Sequence, residues 1–246
     1  MLRLLPLLTA DGPLHMATDE ALLEGATVPT LRLYLWQPAT VSLGYFQDYQ
    51  AVLATLPRGA GRVPVVRRIT GGGAIWHQHE VTYCLVGRLG ADGLPGRVRE
   101  VYPLLHGALL AGLRTHGAAL ERQAATVGDR RYAAEPRCFA APALDDLVAP
   151  GGAKVLGSAA RARGERLLVH GSLKLASNAW DAERAGGCGL DAATVTALFE
   201  RTVAAALGLV LVAGTLTPLE EAARARILAQ RYGDVGWVER REGPRP

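Results

Sequence analysis

Residues 144–176, LDDLVAPGGAKVLGSAARARGERLLVHGSLKLA, decide the fold. Two glycine-bearing turns, Pro150-Gly-Gly-Ala and Arg163-Gly-Glu, divide the stretch into LDDLVA, KVLGSAARA and RLLVHGSLKLA, which read as a three-strand meander. Working outward, EVTYCLVGR at 80–88 alternates apolar and polar residues as a further strand, and VPVVRRI at 63–69 is a β-branched run halted by three glycines. Gly71 to His79 therefore joins two strands and is not a strand-to-helix turn. Residues 2–8 and 31–36 read as strands, as does 41–46 beyond Pro38. His15 to Gly25 has helical spacing, and Asp48 caps a helix through Leu56. Residues 98–116 are helical in period, with the start expected near Pro103. Asp191 caps a further helix, and PLEEAARARILAQRYG is an amphipathic helix that stops at Gly233. With no internal repeat or low-complexity linker, the expectation is one α+β domain over 1–246, a mixed, mainly antiparallel sheet flanked by helices.

The 246 residues are 49% hydrophobic and 20% charged, enough apolar material for a packed core. No apolar run approaches the roughly 18 residues that span a bilayer, so no membrane association is expected. The opening MLRLLPLLTA is broken by Pro6 and runs into Asp11 without a small-residue cleavage site, so it reads as a strand and not a signal. Cys84, Cys138 and Cys188 lie far apart with no CxxC pair, which excludes a disulfide framework or cysteine-rich zinc site and fits a cytoplasmic protein. The net charge of +4 is spread without a long basic run and aromatic content is 6%, so no nucleic-acid partner is indicated. Of 27 basic residues only Lys154 and Lys174 are lysine. In a chain that otherwise uses Arg, a lysine suggests a role for a compact or titratable ammonium.

Several groups can carry chemistry. Arg67-Arg68-Ile-Thr-Gly71-Gly72-Gly73 offers two forked donors and a backbone that approaches a ligand closely, or else a flexible connection; it fits neither a Walker loop nor a dinucleotide fingerprint. His77 and His79 share a face if extended, but no third ligand is indicated and no metal is expected. Cys84 reads as a buried hydrophobe, and Cys188 has no charged helper. Cys138 lies 16 residues before Lys154, a separation that a hairpin can close, and a nearby ammonium raises thiolate content. The other reading of Cys138 is a free loop cysteine. Lys154 is either a solvated hairpin lysine or a site residue beside the close-approach positions Gly157 and Ser158. His170-Gly171-Ser172 either completes a hydrogen-bonded core or lines the same pocket.

The blocks His15-Met-Ala-Thr-Asp-Glu-Ala-Leu-Leu, Leu31-Arg-Leu-Tyr-Leu-Trp through Val41-Ser-Leu-Gly-Tyr-Phe-Gln, Arg67-Arg-Ile-Thr-Gly-Gly-Gly-Ala, Lys154-Val-Leu-Gly-Ser-Ala and His170-Gly-Ser-Leu together resemble the lipoate–protein ligase, biotin–protein ligase and octanoyltransferase superfamily across nearly the whole chain. His77-Gln-His-Glu-Val-Thr-Tyr and Cys138-Phe-Ala-Ala-Pro followed by Lys154 resemble the cysteine-dependent octanoyltransferases of the LipM type. That resemblance implies transfer of octanoyl from acyl carrier protein to a lysine of a lipoyl-domain protein, such as glycine-cleavage H protein or a 2-oxoacid dehydrogenase E2. Cys138 would be the acyl-thioester nucleophile and Lys154 the stabiliser of its thiolate and of the carbonyl. Arg67, Arg68, Gly71, Gly72, Gly73, His77, Gly157, Ser158, His170, Gly171 and Ser172 would bind substrate, all but the two arginines by lining the acyl tunnel and holding the thioester oxygen. No cofactor is then required, since the donor is already activated. An ATP- and magnesium-dependent lipoate–protein ligase is the alternative, and an amidotransferase between lipoyl-domain proteins a second. The Arg-Asn-Asp segment and C-terminal accessory domain common in the ligases are not seen in this sequence. Pro150-Gly-Gly is one residue longer than the family's usual turn, which bears on where Lys154 sits relative to Cys138.

Overall fold

The computed structural model describes residues 1–60, 62–128, 132–243 and 246. Along the chain run β1 (Leu2–Leu4), β2 (Leu8–Ala10), α1 (Gly12–Gly25), β3 (Thr30–Trp36), β4 (Thr40–Leu43), α2 (Tyr49–Leu53), β5 (Val65–Arg67), β6 (Ile75–His77) and β7 (Glu80–Arg88). There follow α3 (Val98–Thr115), β8 (Glu121–Arg122), β9 (Leu147–Val148), β10 (Lys154–Arg163), β11 (Arg166–Lys174), α4 (Ala192–Leu207), β12 (Leu211–Ala213), α5 (Pro218–Ile227) and α6 (Val235–Arg240). The large sheet has the order β12-β1-β3-β7-β11-β10-β9-β8, with β2 also on β3. β1 is parallel to β12 and β3, and β2 is parallel to β3, while the meander from β3 through β7, β11, β10 and β9 is antiparallel. A small sheet, β5-β4-β6, packs beside it. The architecture is α+β with a mixed, mostly antiparallel sheet, as the sequence pattern implies.

Period-2 alternation along the central strands sends consecutive side chains to opposite faces. On one face Tyr83, Leu85 and Val169 pack under α3 and α4 with Leu105, Leu109 and Phe199. On the other, Cys84, Val86 and Leu168 pack under α1 and the C-terminal helices with Met16, Ala21, Ile227 and Trp237. Helix α1 begins at Gly12, where the Asp11 side chain accepts from Leu14 N–H and Pro13 occupies the first turn. Helix α5 opens with a capping box between Thr217 and Glu220.

Four local readings are corrected. The opening segment is two strands, β1 and β2, separated by Leu5-Pro6-Leu7. Gly71 to His79 is not only a connection, since Ile75 to His77 forms β6 against β4, a pairing too short to leave a period in the sequence. Helix α3 starts at Val98, five residues before Pro103, because packing of Val101, Leu105 and Leu109 outweighs one missing backbone donor. The last long helix ends at Ile227 and widens into a π turn at Leu228–Tyr232, after which α6 forms an additional element.

Candidate active site

Cys138 opens a one-turn 3-10 segment, Cys138–Ala140, which is laid against the end of the glycine run. Ala74 N–H donates to Pro136 O at 2.7 Å and Cys138 N–H to Ala74 O at 2.8 Å. Gly73 permits this approach, since a Cβ there would lie 2.8 Å from Cys138 Cα and 2.6 Å from the Tyr132 ring. Lys154 starts β10 and points back at the turn. Its Nζ donates to Asp146 Oδ2 at 2.7 Å, to Cys138 O at 3.3 Å and to Cys138 Sγ at 3.4 Å. The turn of 143–146 presents that carboxylate, with Ala143 N–H donating to Asp146 Oδ2 at 2.6 Å. Burial alone would lower the Lys154 pKa, but the attraction of Asp146, first among its neighbours, outweighs it and holds the group well above an ordinary lysine, charged at neutral pH. Gly157, one turn of pleat along β10, leaves the space this ammonium needs, because a Cβ there would fall 2.3 Å from Lys154 Cε and 2.6 Å from Nζ.

A cavity lies beside this cluster, bordered by Cys138, Lys154, Gly157, Gly72, Arg68, Met16, Tyr34, Trp36 and His77. Register places Gly157 opposite Ser172, Ser172 opposite Thr82 and Thr82 opposite Tyr34, so one pleat row floors the cavity. Arg68 is spent on organising the glycine loop, donating to Ser42, Thr70, Gly71 O and Gly73 O. His170 borders the cavity with both ring nitrogens engaged, Nδ1 with Asp19 at 2.9 Å and Nε2 with Thr70 at 2.7 Å. Burial opposes the Asp19 charge, but Arg32 and His170 hold its carboxyl down to about 2. Buried His77 is pushed down to about 4 by loss of solvent despite Glu80 on Nδ1, and it stays neutral.

Cys138, Lys154, Arg68, Gly72, His77, Gly157, Ser158, His170, Gly171 and Ser172 thus border one cavity, with Gly73 against Cys138 at its edge. Arg67 and Gly71 do not. The Arg67 guanidinium is fully buried on the opposite side of β5, donating to the carbonyls of Gly44, Tyr45, Gln47, Val238 and Glu239, where it clamps α6 to the 44–47 loop. Gly71 has only its carbonyl engaged, by Arg68, and has open space where a side chain would be. The Ser158 hydroxyl bonds Tyr83 and His106 at 2.7 Å each, and Cys138 N–H is taken by Ala74, so the donor at the sulfur is Lys154 alone among those expected to hold the oxygen. His79 is exposed, and no group of three potential metal ligands occurs among the described residues. Cys84 is buried, and its thiol is pushed up by loss of solvent.

The sequence pattern did not single out Asp146 or Glu80, and it marked Lys174 only by its rarity. An acidic pair inside the apolar run LDDLVA ahead of a rare lysine was the available signal for Asp146. Lys174 has no exposed surface and pairs with Glu80 Oε2 at 2.8 Å.

The family profile of the lipoyl protein ligase A/B catalytic domain matches residues 11–202. Octanoyltransferase LipM of Moorella thermoacetica is 42% identical over 186 residues, 73% of this chain, and the chain spans about two thirds, 67%, of that relative. Octanoyltransferase LipM of Symbiobacterium thermophilum is 34% identical over 264 residues, 94% of this chain and 95% of the relative. Among solved structures, lipoate-protein ligase A bound with ATP superposes with a TM-score of 0.79 at 21% identity, over 97% of this chain and 99% of the other, which shows a common fold.

Proposed function

Because the chain belongs to the lipoyl protein ligase A/B catalytic domain family and its 34–42% identical relatives are octanoyltransferases, we propose that it is an octanoyltransferase of protein lipoylation with Cys138 as nucleophile. The single observation that carries the assignment of the nucleophile is the buried contact of Lys154 Nζ with Cys138 Sγ at 3.4 Å, backed by Asp146. An ammonium held charged beside a thiol favours the thiolate, which is the attacking form.

In the first half-reaction the Cys138 thiolate attacks the carbonyl of an octanoyl thioester on acyl carrier protein. The Sγ–C bond forms, charge develops on the carbonyl oxygen within reach of Lys154, and the carrier thiolate leaves. In the second, a lysine amine of a lipoyl-domain acceptor attacks the enzyme thioester. The N–C bond forms, the amine releases one proton and the Cys138 thiolate departs into the same ion pair. Both donors are thioesters, so no step calls for ATP or magnesium. Asp146 does not touch the sulfur; it keeps Lys154 charged and aimed.

Incubation with octanoyl-acyl carrier protein, without ATP or magnesium, followed by intact-mass analysis, tests the reading. One octanoyl group is expected on the protein, removed by hydroxylamine, absent from Cys138→Ala and strongly reduced in Lys154→Ala. No adduct, together with modification of a lipoyl domain from free lipoate and ATP, establishes the ligase alternative and removes Cys138 from the mechanism.

A further inference from the structure

On the α3 side of the sheet lies a second buried polar row that the mechanism leaves unused. Ser158 on β10, Gly171 on β11 and Tyr83 on β7 are register neighbours. The Ser158 hydroxyl fills the space over Gly171, where a Cβ would fall 2.2 Å from its Oγ. His106 of α3 closes over this row, with Nε2 2.7 Å from Ser158 Oγ, and the Tyr83 hydroxyl lies 2.7 Å from the same oxygen. The other ring nitrogen, Nδ1, is 2.7 Å from the carbonyl oxygen of Asp145. A carbonyl only accepts, so Nδ1 carries the proton; Nε2 then accepts from Ser158, and Ser158 accepts from Tyr83. Burial holds His106 below the ordinary imidazole value, so the ring is neutral, as this single direction of donation requires.

The row ends on a backbone that needs holding. Asp145 has φ +70°, in the left-handed region that a residue with a Cβ seldom adopts. The peptide that joins it to Asp146 is gripped on both sides: its carbonyl accepts from His106, and its N–H donates to Ala143 O at 3.1 Å. That peptide plane sets the direction in which the Asp146 side chain leaves the turn. The carboxylate then meets Lys154 Nζ at 2.7 Å, and Nζ meets Cys138 Sγ at 3.4 Å. His106 is not among the described residues that border the cavity, so it reaches the sulfur through this path and not by touching substrate.

We propose that His106 is a positioning residue for thioester formation: by donating to the Asp145 carbonyl it holds the left-handed turn that aims Asp146, and through Asp146 the Lys154 ammonium, at the nucleophile. This rests on the acyl-thioester reading of Cys138. Ser158 and Tyr83 support His106 from behind, by keeping its proton on Nδ1.

Two substitutions separate the donor from the packing. Asparagine places an amide N–H where Nδ1 stands and nothing at the Ser158 end, while leucine fills the space with no donor at all. Both lose the Ser158 contact, and only leucine loses the Asp145 contact. In single-turnover acylation by octanoyl-acyl carrier protein, read by intact mass, the maximal rate of His106→Leu is expected to fall at least about tenfold, with the half-saturating donor concentration within about twofold of the wild type. His106→Asn is expected within about threefold of the wild-type rate, although it too unfolds at lower urea. With Asp146→Asn already present, His106→Leu should change the rate by less than about threefold, because the path is already cut. A His106→Leu rate within about threefold of the wild type, an asparagine variant as slow as the leucine one, or an undiminished leucine effect in the Asp146→Asn background overturns the proposal. His106→Gln, whose amide falls at the Ser158 end, takes the place of a leucine variant that does not fold, with the same outcomes. No adduct in the wild type instead removes the transferase reading itself, which separates the two failures.

Discussion

Replacing Gly157 by alanine should disable the site through Lys154 alone. The added Cβ would stand 2.3 Å from Lys154 Cε and 2.6 Å from Nζ, while its next neighbour, Asp146 Oδ1, is at an ordinary 3.4 Å. Carbon atoms rest at about 3.5–4.0 Å, so the lysine has to withdraw by more than about 1 Å, carrying Nζ out of the contacts it makes at 2.7 Å with Asp146 and 3.4 Å with Sγ. A misplacement of about 1 Å costs about 100-fold in rate, or about 2.7 kcal/mol of barrier. Overpacking costs about 1–3 kcal/mol of stability, partly offset by the roughly 0.5–1 kcal/mol that alanine gains over glycine inside a strand. Thioester formation followed by mass gives the rate, and urea unfolding gives the stability. The decisive comparison is made in Lys154→Ala, where the obstacle is gone. There the same glycine change should be neutral or slightly stabilising, so the two substitutions couple by about 1–3 kcal/mol. Equal destabilisation in both backgrounds would refute the argument that Gly157 exists to house the lysine.

Asp146→Asn keeps the shape of the turn and removes the carboxylate that aims Lys154 at Sγ, so thioester formation should fall by about 10- to 100-fold; a rate within about threefold of the wild type contradicts the positioning argument. Arg67→Ala strips five carbonyls of a buried donor and should cost about 3–5 kcal/mol in urea unfolding, while acylation of the folded protein stays within about threefold; a selective loss of acylation would return Arg67 to the cavity. His15 and His77 are pushed down to about 3 and about 4, first by burial, from an unfolded value near 6.5. The unfolded chain therefore binds protons before the folded one does, and stability should fall as pH drops from about 6.5 towards 4 and be flat with respect to these groups above 6.5. Urea midpoints that agree at pH 7.5 and pH 5 would contradict this.

Much of the frame was legible because glycine-bearing hairpins and alternating runs are local signals: the meander that carries Lys154, Gly157, His170 and Ser172 is written in residues 144–176. The approach of Cys138 to Lys154 could be framed as a question by spacing, but its answer depended on the turn of 143–146 and on Ala74 gripping Cys138, contacts without any period. The misreading of Arg67 has a plain geometric source. Adjacent residues at the end of a strand face opposite ways, so a pair such as Arg67-Arg68 supplies one side chain to a cavity and the other to the layer behind it. The same alternation separates Gly157 from the Ser158 hydroxyl, which turns away to Tyr83 and His106. A motif read as a block on a strand is thus half site and half support.

The lysine count carries further than any single motif. Both lysines are essentially without exposed surface, and both place their ammonium over the same buried ring, Phe139, at 5.5 Å for Lys154 and 5.0 Å for Lys174. Phe139 follows Cys138, so the nucleophile's turn is held by cation–π contacts on behalf of two buried charges, each neutralised by its own carboxylate, Asp146 or Glu80. Arginine would not serve at either place. Its planar fork is wider than the gap that Gly157 leaves beside Lys154, and its donors are directed in one plane, whereas each ammonium here donates in several directions to a carboxylate and to backbone carbonyls. Through Glu80 the second ammonium also sets His77 and Thr82, which hold Trp36. The two residues that escaped an otherwise uniform use of arginine therefore brace one cavity from two sides, Lys154 at the sulfur and Lys174, through Glu80, at the His77 and Thr82 side chains that border it.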